Sequence, residues 1–251
     1  MNELIDRPHM LDTIIAATSS EVPILFLEGE AGAGATTTLR QLMHAYPDRT
    51  FGLFISAASR AAYSPALLKF ELAEQFCDRL ALQPPDPDGV EGEWMRLILK
   101  VRQIASKAPV FFIVDGVHQI PKEDIGIVRE IFRDVLPLGH KSFRFIITGE
   151  RSELDCFIAS EASKTYQQLA FSPQEAKAFL GLQLGDADVG EIYRLCRGIP
   201  GRLAAVKRLL QSGSTLDGIL NATFESAPRF IQLEFRTLQL LNESGKSALS
   251  V

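Results

Sequence analysis

The tightest constraint on this chain lies between residues 24 and 43. Ile24-Leu25-Phe26-Leu27 is a short apolar run of buried-strand character. Gly29-Glu30-Ala31-Gly32-Ala33-Gly34-Ala35-Thr36 follows as a glycine-rich loop, and Thr37-Thr38-Leu39-Arg40-Gln41-Leu42-Met43 continues as a helix. Gly29 and Gly34 have the Gly-x4-Gly spacing of a phosphate-binding loop. In such a loop glycines let backbone N–H groups curl around phosphate oxygens, a lysine reaches the β- and γ-phosphates, and a hydroxyl ligates Mg2+. Gly32, Ala33, Gly34, Thr36 and Thr37 are therefore candidate phosphate contacts, with Thr36 supplying the hydroxyl. Ala35 stands where the lysine is expected.

Without that lysine the loop keeps its oriented amides and the positive end of the following helix, which together still favour an anion. A charge-assisted hydrogen bond contributes about 1.5 to 3 kcal/mol, so its loss weakens binding by roughly ten- to a hundredfold. Catalysis suffers more, because positioning and charge neutralisation supply most of phosphoryl-transfer catalysis. An alanine here fits both an engineered variant of a working ATPase and a naturally degenerate site.

Helical and strand-like segments alternate through the first two-thirds of the sequence, which indicates a parallel sheet covered by helices on both faces. Strands are expected near 23–28, 51–56, 109–114, 143–148 and 166–171. Ser64-Pro65 opens a helix running to about Leu82, with serine as cap and proline in the first turn. The stretch from Pro84 to Gly89 reads as an exposed loop. Trp94, Leu97, Ile98, Val101 and Ile104 then fall on one helix face, and Ile125, Val128, Ile131 or Phe132, and Val135 form a second stripe. Both stripes read as core. The character changes at Ser172-Pro173-Gln174-Glu175, a capping box, after which helices are expected near 173–182, 187–197, 200–212 and 215–224. The fold expected is thus α/β: a P-loop NTPase domain over 1–171 with a five-stranded parallel sheet flanked by helices, then a small all-helical lid over 172–225. Residues 226–251 read as a linker and the start of a further element cut short.

With 46% hydrophobic and 23% charged residues, the 251-residue chain can bury a sizeable core. The net charge of −5 argues against a broad nucleic-acid surface, so nucleic acid is an unlikely partner for this fragment. Arg202, Lys207 and Arg208 offer at most a local basic patch, and read more simply as a solvated helix face. Cys77, Cys156 and Cys196 lie far apart without metal-ligand spacing, as reduced thiols of a cytoplasmic protein would. No apolar run approaches the roughly 18 residues needed to span a bilayer, and no membrane partner is expected.

Val110-Phe111-Phe112-Ile113-Val114-Asp115-Gly116 is an apolar strand ending in a carboxylate, the pattern of a Walker B segment in which Asp115 would hold the Mg2+ shell opposite Thr36. The carboxylate that should polarise an attacking water is missing: Val117, His118, Gln119 follow. Gln119 could orient a water without accepting its proton, and His118 could be a base or merely a loop residue. The fourth strand ends in Thr148, followed by Gly149-Glu150-Arg151. In a parallel sheet that edge is where ligands bind, so Thr148 could sense a γ-phosphate and Arg151 could offer it a fork of donors.

Together these segments, over residues 4 to 225, resemble the STAND class of AAA+-related ATPases, signal-transducing NTPases that act as regulated switches. Arg7 sits where that class has an arginine near the adenine, although Asp6 and Pro8 replace its usual neighbours. Asp115-Gly116-Val117-His118-Gln119 is similar to the family's Asp-Gly-x-Asp-Glu with both later acids replaced, and Thr148 with Arg151 resembles its sensor pair displaced by one residue. Arg197-Gly198-Ile199-Pro200-Gly201-Arg202-Leu203 is similar to the Gly-x-Pro loop whose proline packs on the nucleotide from the lid. The resemblance implies ATP or ADP with Mg2+ as cofactors, a following winged-helix domain, sensor repeats, and self-association or protein partners engaged through those further domains. It implies a nucleotide-binding switch with impaired hydrolysis. The rival expectations are a non-catalytic scaffold with a degenerate nucleotide site, and a DNA-associated AAA+ regulator.

Overall fold

The computed structural model describes residues 7–18, 22–29, 32–55, 64–120, 126, 128, 130–131, 142–148, 163–167, 170–181 and 184–219. They fall into two compact units, one drawn from 6–29 and 35–168, the other from 30–34 and 169 onward.

In the first unit five parallel strands form one sheet: β1 (Ile24–Leu27), β2 (Thr50–Phe54), β3 (Val110–Asp115), β4 (Phe143–Thr148) and β5 (Ser163–Tyr166). Their spatial order is β2-β3-β4-β1-β5. The register pairs Leu27 with Thr148 and Phe54 with Asp115, so the carboxyl ends of β1 to β4 lie level with one another. Its described helices include α1 (Pro8–Ala17), α2 (Ala35–Ala45), α3 (Pro65–Leu80) and α4 (Val90–Ala105), and residues 126, 128, 130 and 131 are helical too.

Side chains alternate across a strand, and that alternation divides the sheet cleanly. Ile24, Phe26, Phe51, Leu53, Phe112, Val114, Phe145 and Ile147 point to one face, where they share a core with Leu68, Leu72 and Phe76 of α3 and with Trp94, Ile98 and Val101 of α4. Phe76 is the hub, meeting Phe51 edge-on at 4.8 Å and stacking on Trp94 at 5.7 Å. The opposite face carries Asp115 and Thr148 and is covered by α2, which packs on β2 and β3. Gly52 belongs to that face, and a Cβ there would stand 2.8 Å from Met43 Sδ of α2. At the β2 edge, the Gln75 amide of α3 accepts from Gly52 N–H at 2.9 Å and donates to Gly52 C=O at 2.8 Å.

Among its described residues the second unit contains α5 (Pro173–Leu180), α6 (Asp186–Cys196) and α7 (Pro200–Gln211), followed by a helical stretch at 216–219. Phe171, Leu180, Val189, Ile192, Leu203, Val206 and Ile219 make its own core. The Ser172 and Glu175 capping box forms as expected, with Glu175 N–H donating to Ser172 Oγ and Ser172 N–H to Glu175 Oε2.

Four strands stand within about two residues of expectation, but the fifth does not. It occupies Ser163–Tyr166 rather than 166–171. Ser163-Lys164-Thr165-Tyr166 is a half-exposed edge strand whose polar composition hides it, whereas the apolar Phe171 that drew the expectation is spent in the helical core instead. Of the helix expected near 215–224, residues 216–219 are helical. The rest of it lies outside the described residues, as do 226–251. Val128 and Ile131 of the second stripe are buried, while Ile125, Phe132 and Val135 lie outside. Cys77 and Cys196 are free and buried; Cys156 is not among the described residues.

Candidate functional site

The glycine-rich loop has the backbone its composition foretold. Gly32 and Gly34 have φ of +81° and +90°, the left-handed region open to glycine at little cost. Gly29 leads out of β1, and Glu30 and Ala31 lie outside the described residues. Ala33 is buried and Ala35 begins α2, with Thr36 and Thr37 exposed in its first turn. That first turn carries no acidic residue. Its unpaired N–H groups and positive dipole end therefore remain available to an anion.

At the carboxyl end of β3, Asp115 is held by a compact network. The Thr148 hydroxyl donates to Asp115 Oδ1 at 2.5 Å, and Thr148 Oγ1 in turn accepts the Gly116 N–H at 2.8 Å. Both side chains are buried, at 6% and 4% exposure. Thr148 thus commits its proton to Asp115. Gly116 is compulsory here: its φ is +80°, and a Cβ would overlap the Ile55 carbonyl oxygen. Asp115 C=O meanwhile accepts from Ile55 N–H, which carries the β2–β3 ladder one residue further and fixes the carboxylate's backbone. His118 and Gln119 fall in the short turn Val117–Gln119, where Gln119 N–H donates to Gly116 C=O. Arg151 lies outside the described residues.

Arg7 sits at the N-cap position of α1, its carbonyl accepting from Met10 and Leu11. Pro200 is at the first position of α7, and its Cγ stands 3.5 Å from where a Gly34 Cβ would be. Beside it, Gly201 N–H donates to the Gly32 carbonyl at 2.8 Å. The sequence placed Gly201 in the Gly-x-Pro loop without giving it a role of its own; the signal was a glycine in the first turn of a helix, where alanine would be the better helix former. Sequence reasoning passed over Arg40, one turn after Thr36 on α2, whose guanidinium lies 5.3 Å from the Phe54 ring centroid. The basic patch does not survive intact. Lys207 donates to Phe179 C=O at the end of α5 and lies over the Phe179 ring, and Arg202 is half-buried.

Among the described residues no group of three or more His, Cys, Asp or Glu could hold a metal ion. Any Mg2+ here would take one carboxylate, Asp115, and one hydroxyl, Thr36, with ligand phosphates and water completing the shell, which is the usual economy of Mg2+ sites. The residues present fit Mg2+-nucleotide in their loop, helix end and carboxylate. They depart from it in the lysine.

Residues 19–157, more than half of the sequence, match the family model described as AAA domain. The chain belongs to the AAA domain family. No curated protein matches this AAA domain in sequence. Its fold is similar to that of a Walker-type ATPase of Pyrococcus abyssi (15% identity, TM-score 0.57), covering 96% of this chain and 77% of that one. It is similar also to a signal transduction ATPase with numerous domains, carrying a tetratricopeptide repeat sensor, from Pyrococcus horikoshii (15% identity, TM-score 0.52; 82% of this chain, 30% of that one). A third likeness is to Drosophila ORC bound to DNA (13% identity, TM-score 0.51; 89% and 61%). At such identities the likeness establishes the P-loop ATPase fold alone. The chain spans less than two thirds of the length of the latter two proteins. With a DNA-bound protein among these neighbours, the expectation that nucleic acid is an unlikely partner draws no support. No described helix is long and apolar enough to cross a membrane.

Proposed function

We propose that this AAA+-type P-loop module binds ATP and ADP with Mg2+ as a switch of the STAND kind, and that it hydrolyses ATP slowly or not at all. The observation that carries the reading is the Asp115–Thr148–Gly116 network at the level carboxyl ends of β3 and β4. Its face of the sheet is the one covered by α2, the helix that issues from the glycine loop. The loop amides from Gly29 to Gly34 and the first turn of α2 at Ala35, Thr36 and Thr37 bind phosphate; Thr36 and Asp115 orient the metal shell. Bound Mg2+ would neutralise phosphate charge. Thr148 keeps the Asp115 carboxylate aimed, Arg151 reads the γ-phosphate, and Arg7 and Pro200 border the base. Hydrolysis is impaired on two counts. Ala35 brings no charge to the β/γ-phosphates, and His118 and Gln119 stand where family members carry acids, so neither position offers a carboxylate to polarise the water. Protein partners would be engaged through further domains.

Calorimetric titration with ATP, ADP and Mg2+ tests this. Binding on the order of micromolar or weaker is expected. No heat and no thermal shift at millimolar nucleotide would refute it and leave the non-catalytic scaffold. The likeness to DNA-bound ORC favours a second reading, a DNA-associated regulator; salt-dependent DNA binding would support it.

A further inference from the structure

Three consecutive residues, Ile199, Pro200 and Gly201, meet the two left-handed glycines of the loop, and Gly201 does so backbone to backbone. The amide of Gly201 reaches the Gly32 carbonyl at 2.8 Å. A Cβ on Gly201 would stand 2.9 Å from Gly32 Cα and 3.1 Å from Gly32 O, both backbone atoms. Ile199 Cγ2 lies 3.8 Å and Pro200 Cγ 3.5 Å from where Cβ atoms on Gly32 and Gly34 would be. The segment presenting these contacts is itself pinned. Gly198, at φ +70°, is pressed against Phe171 so closely that a Cβ would overlap the Phe171 carbonyl, and Phe171 N–H donates to Gly198 O at 2.7 Å.

We propose that Gly201 is a positioning residue for the phosphate loop: its amide holds the Gly32 carbonyl and so keeps Gly32 and Gly34 in the left-handed form before any ligand arrives. Two physical facts make this bond consequential. The first N–H groups of a helix have no partner within it, so Gly201 brings a donor that α7 cannot use. Glycines visit positive and negative φ about equally, so a loop with Gly32 and Gly34 left alone would divide its time among conformers, few of them shaped for phosphate. Holding one carbonyl selects one conformer. A loop that lacks a lysine has all the more need of this, because its affinity rests on amides that must already point the right way. The inference deepens the proposed function and rests on 29–36 being the phosphate site.

The test uses the full chain, with Gly201→Ala set against Gly190→Ala, a change into open space on α6 of the same unit. Two readouts are taken: amide exchange of residues 32–34 and 201 without nucleotide, and titration with Mg2+-ADP. The expected result for Gly201→Ala is faster exchange in the loop and an ADP affinity about five- to tenfold weaker, because apparent affinity scales with the fraction of molecules whose loop is competent. Gly190→Ala should change neither. Loop exchange and ADP affinity both matching the parent would overturn the proposal. If the parent binds no ADP, the site reading fails while exchange still judges the contact: faster loop exchange in Gly201→Ala upholds it and equal exchange overturns it. If Gly201→Ala does not fold, the parent chain decides: a first-turn N–H has no partner within its own helix, so protection of the Gly201 amide without nucleotide upholds the proposal, and exchange as fast as that of an unprotected amide overturns it.

Discussion

Replacing Thr148 by valine keeps the shape of the side chain and deletes one hydroxyl, and that hydroxyl serves two partners at once. It donates to Asp115 Oδ1 at 2.5 Å and accepts from Gly116 N–H at 2.8 Å. Loss of a hydrogen bond to a carboxylate costs about 1.5 to 3 kcal/mol, and leaving a buried N–H unpaired about 1 to 3 kcal/mol. Asp115 sits at a strand end, where some water can return to it, so the expected sum lies towards the lower end of the combined range of about 2.5 to 6 kcal/mol, at about 3 kcal/mol. Thr148→Ser retains the hydroxyl and gives up one methyl group, for about 1 kcal/mol. The chain contains a single tryptophan, and Trp94 is buried in the core shared by α3, α4 and the sheet. Its fluorescence during urea unfolding therefore follows the unit that holds Asp115. With a urea dependence of about 1 to 3 kcal/mol per molar, a loss of about 3 kcal/mol moves the midpoint by about 1 to 3 M. A Thr148→Val midpoint indistinguishable from that of Thr148→Ser would refute the argument, since the hydroxyl would then be holding nothing of consequence.

Two further predictions address the site directly. Ala35→Lys should tighten ATP binding about tenfold or more by returning a charge to the β/γ-phosphates, measured by calorimetry; hydrolysis should stay slow, and rapid turnover in a phosphate-release assay would refute the reading that a competent base is lacking, with His118 the first residue to test for that role. Asp115→Ala should abolish the Mg2+ dependence of nucleotide binding while His118→Ala preserves it, and equal Mg2+ dependence in the parent and in Asp115→Ala would remove Asp115 from the metal shell.

The sheet was legible where burial leaves a plain mark. β1, β3 and, Arg144 apart, β4 are runs of apolar residues because both faces of a parallel sheet are covered, and their other polar residues stand at the carboxyl ends. Asp115 and Thr148 were recognisable for that reason, as polar ends of apolar strands. What could not be read was that they meet, since β3 and β4 become neighbours only through the strand order. β5 failed the same test in reverse: an edge strand with half-exposed residues carries little hydrophobic signal, and Phe171 carried a strong one for another purpose. The role of Gly201 was invisible because the partner that demands a glycine, the backbone of Gly32, is 169 residues away in sequence.

The amide of Gln75, clasping both polar groups of Gly52 at the outer strand of the sheet, has a bearing on how copies of this chain behave in a crowded solution. An unguarded edge strand is a template on which another extended chain can continue the ladder, and apolar sequences such as Thr50–Phe54 are the kind that aggregate by doing so. Here the side-chain amide imitates the peptide group of an incoming strand and occupies its place. Assembly through this edge would first have to evict Gln75, so growth of the sheet from one molecule into the next is discouraged at that point, and productive association is left to other surfaces.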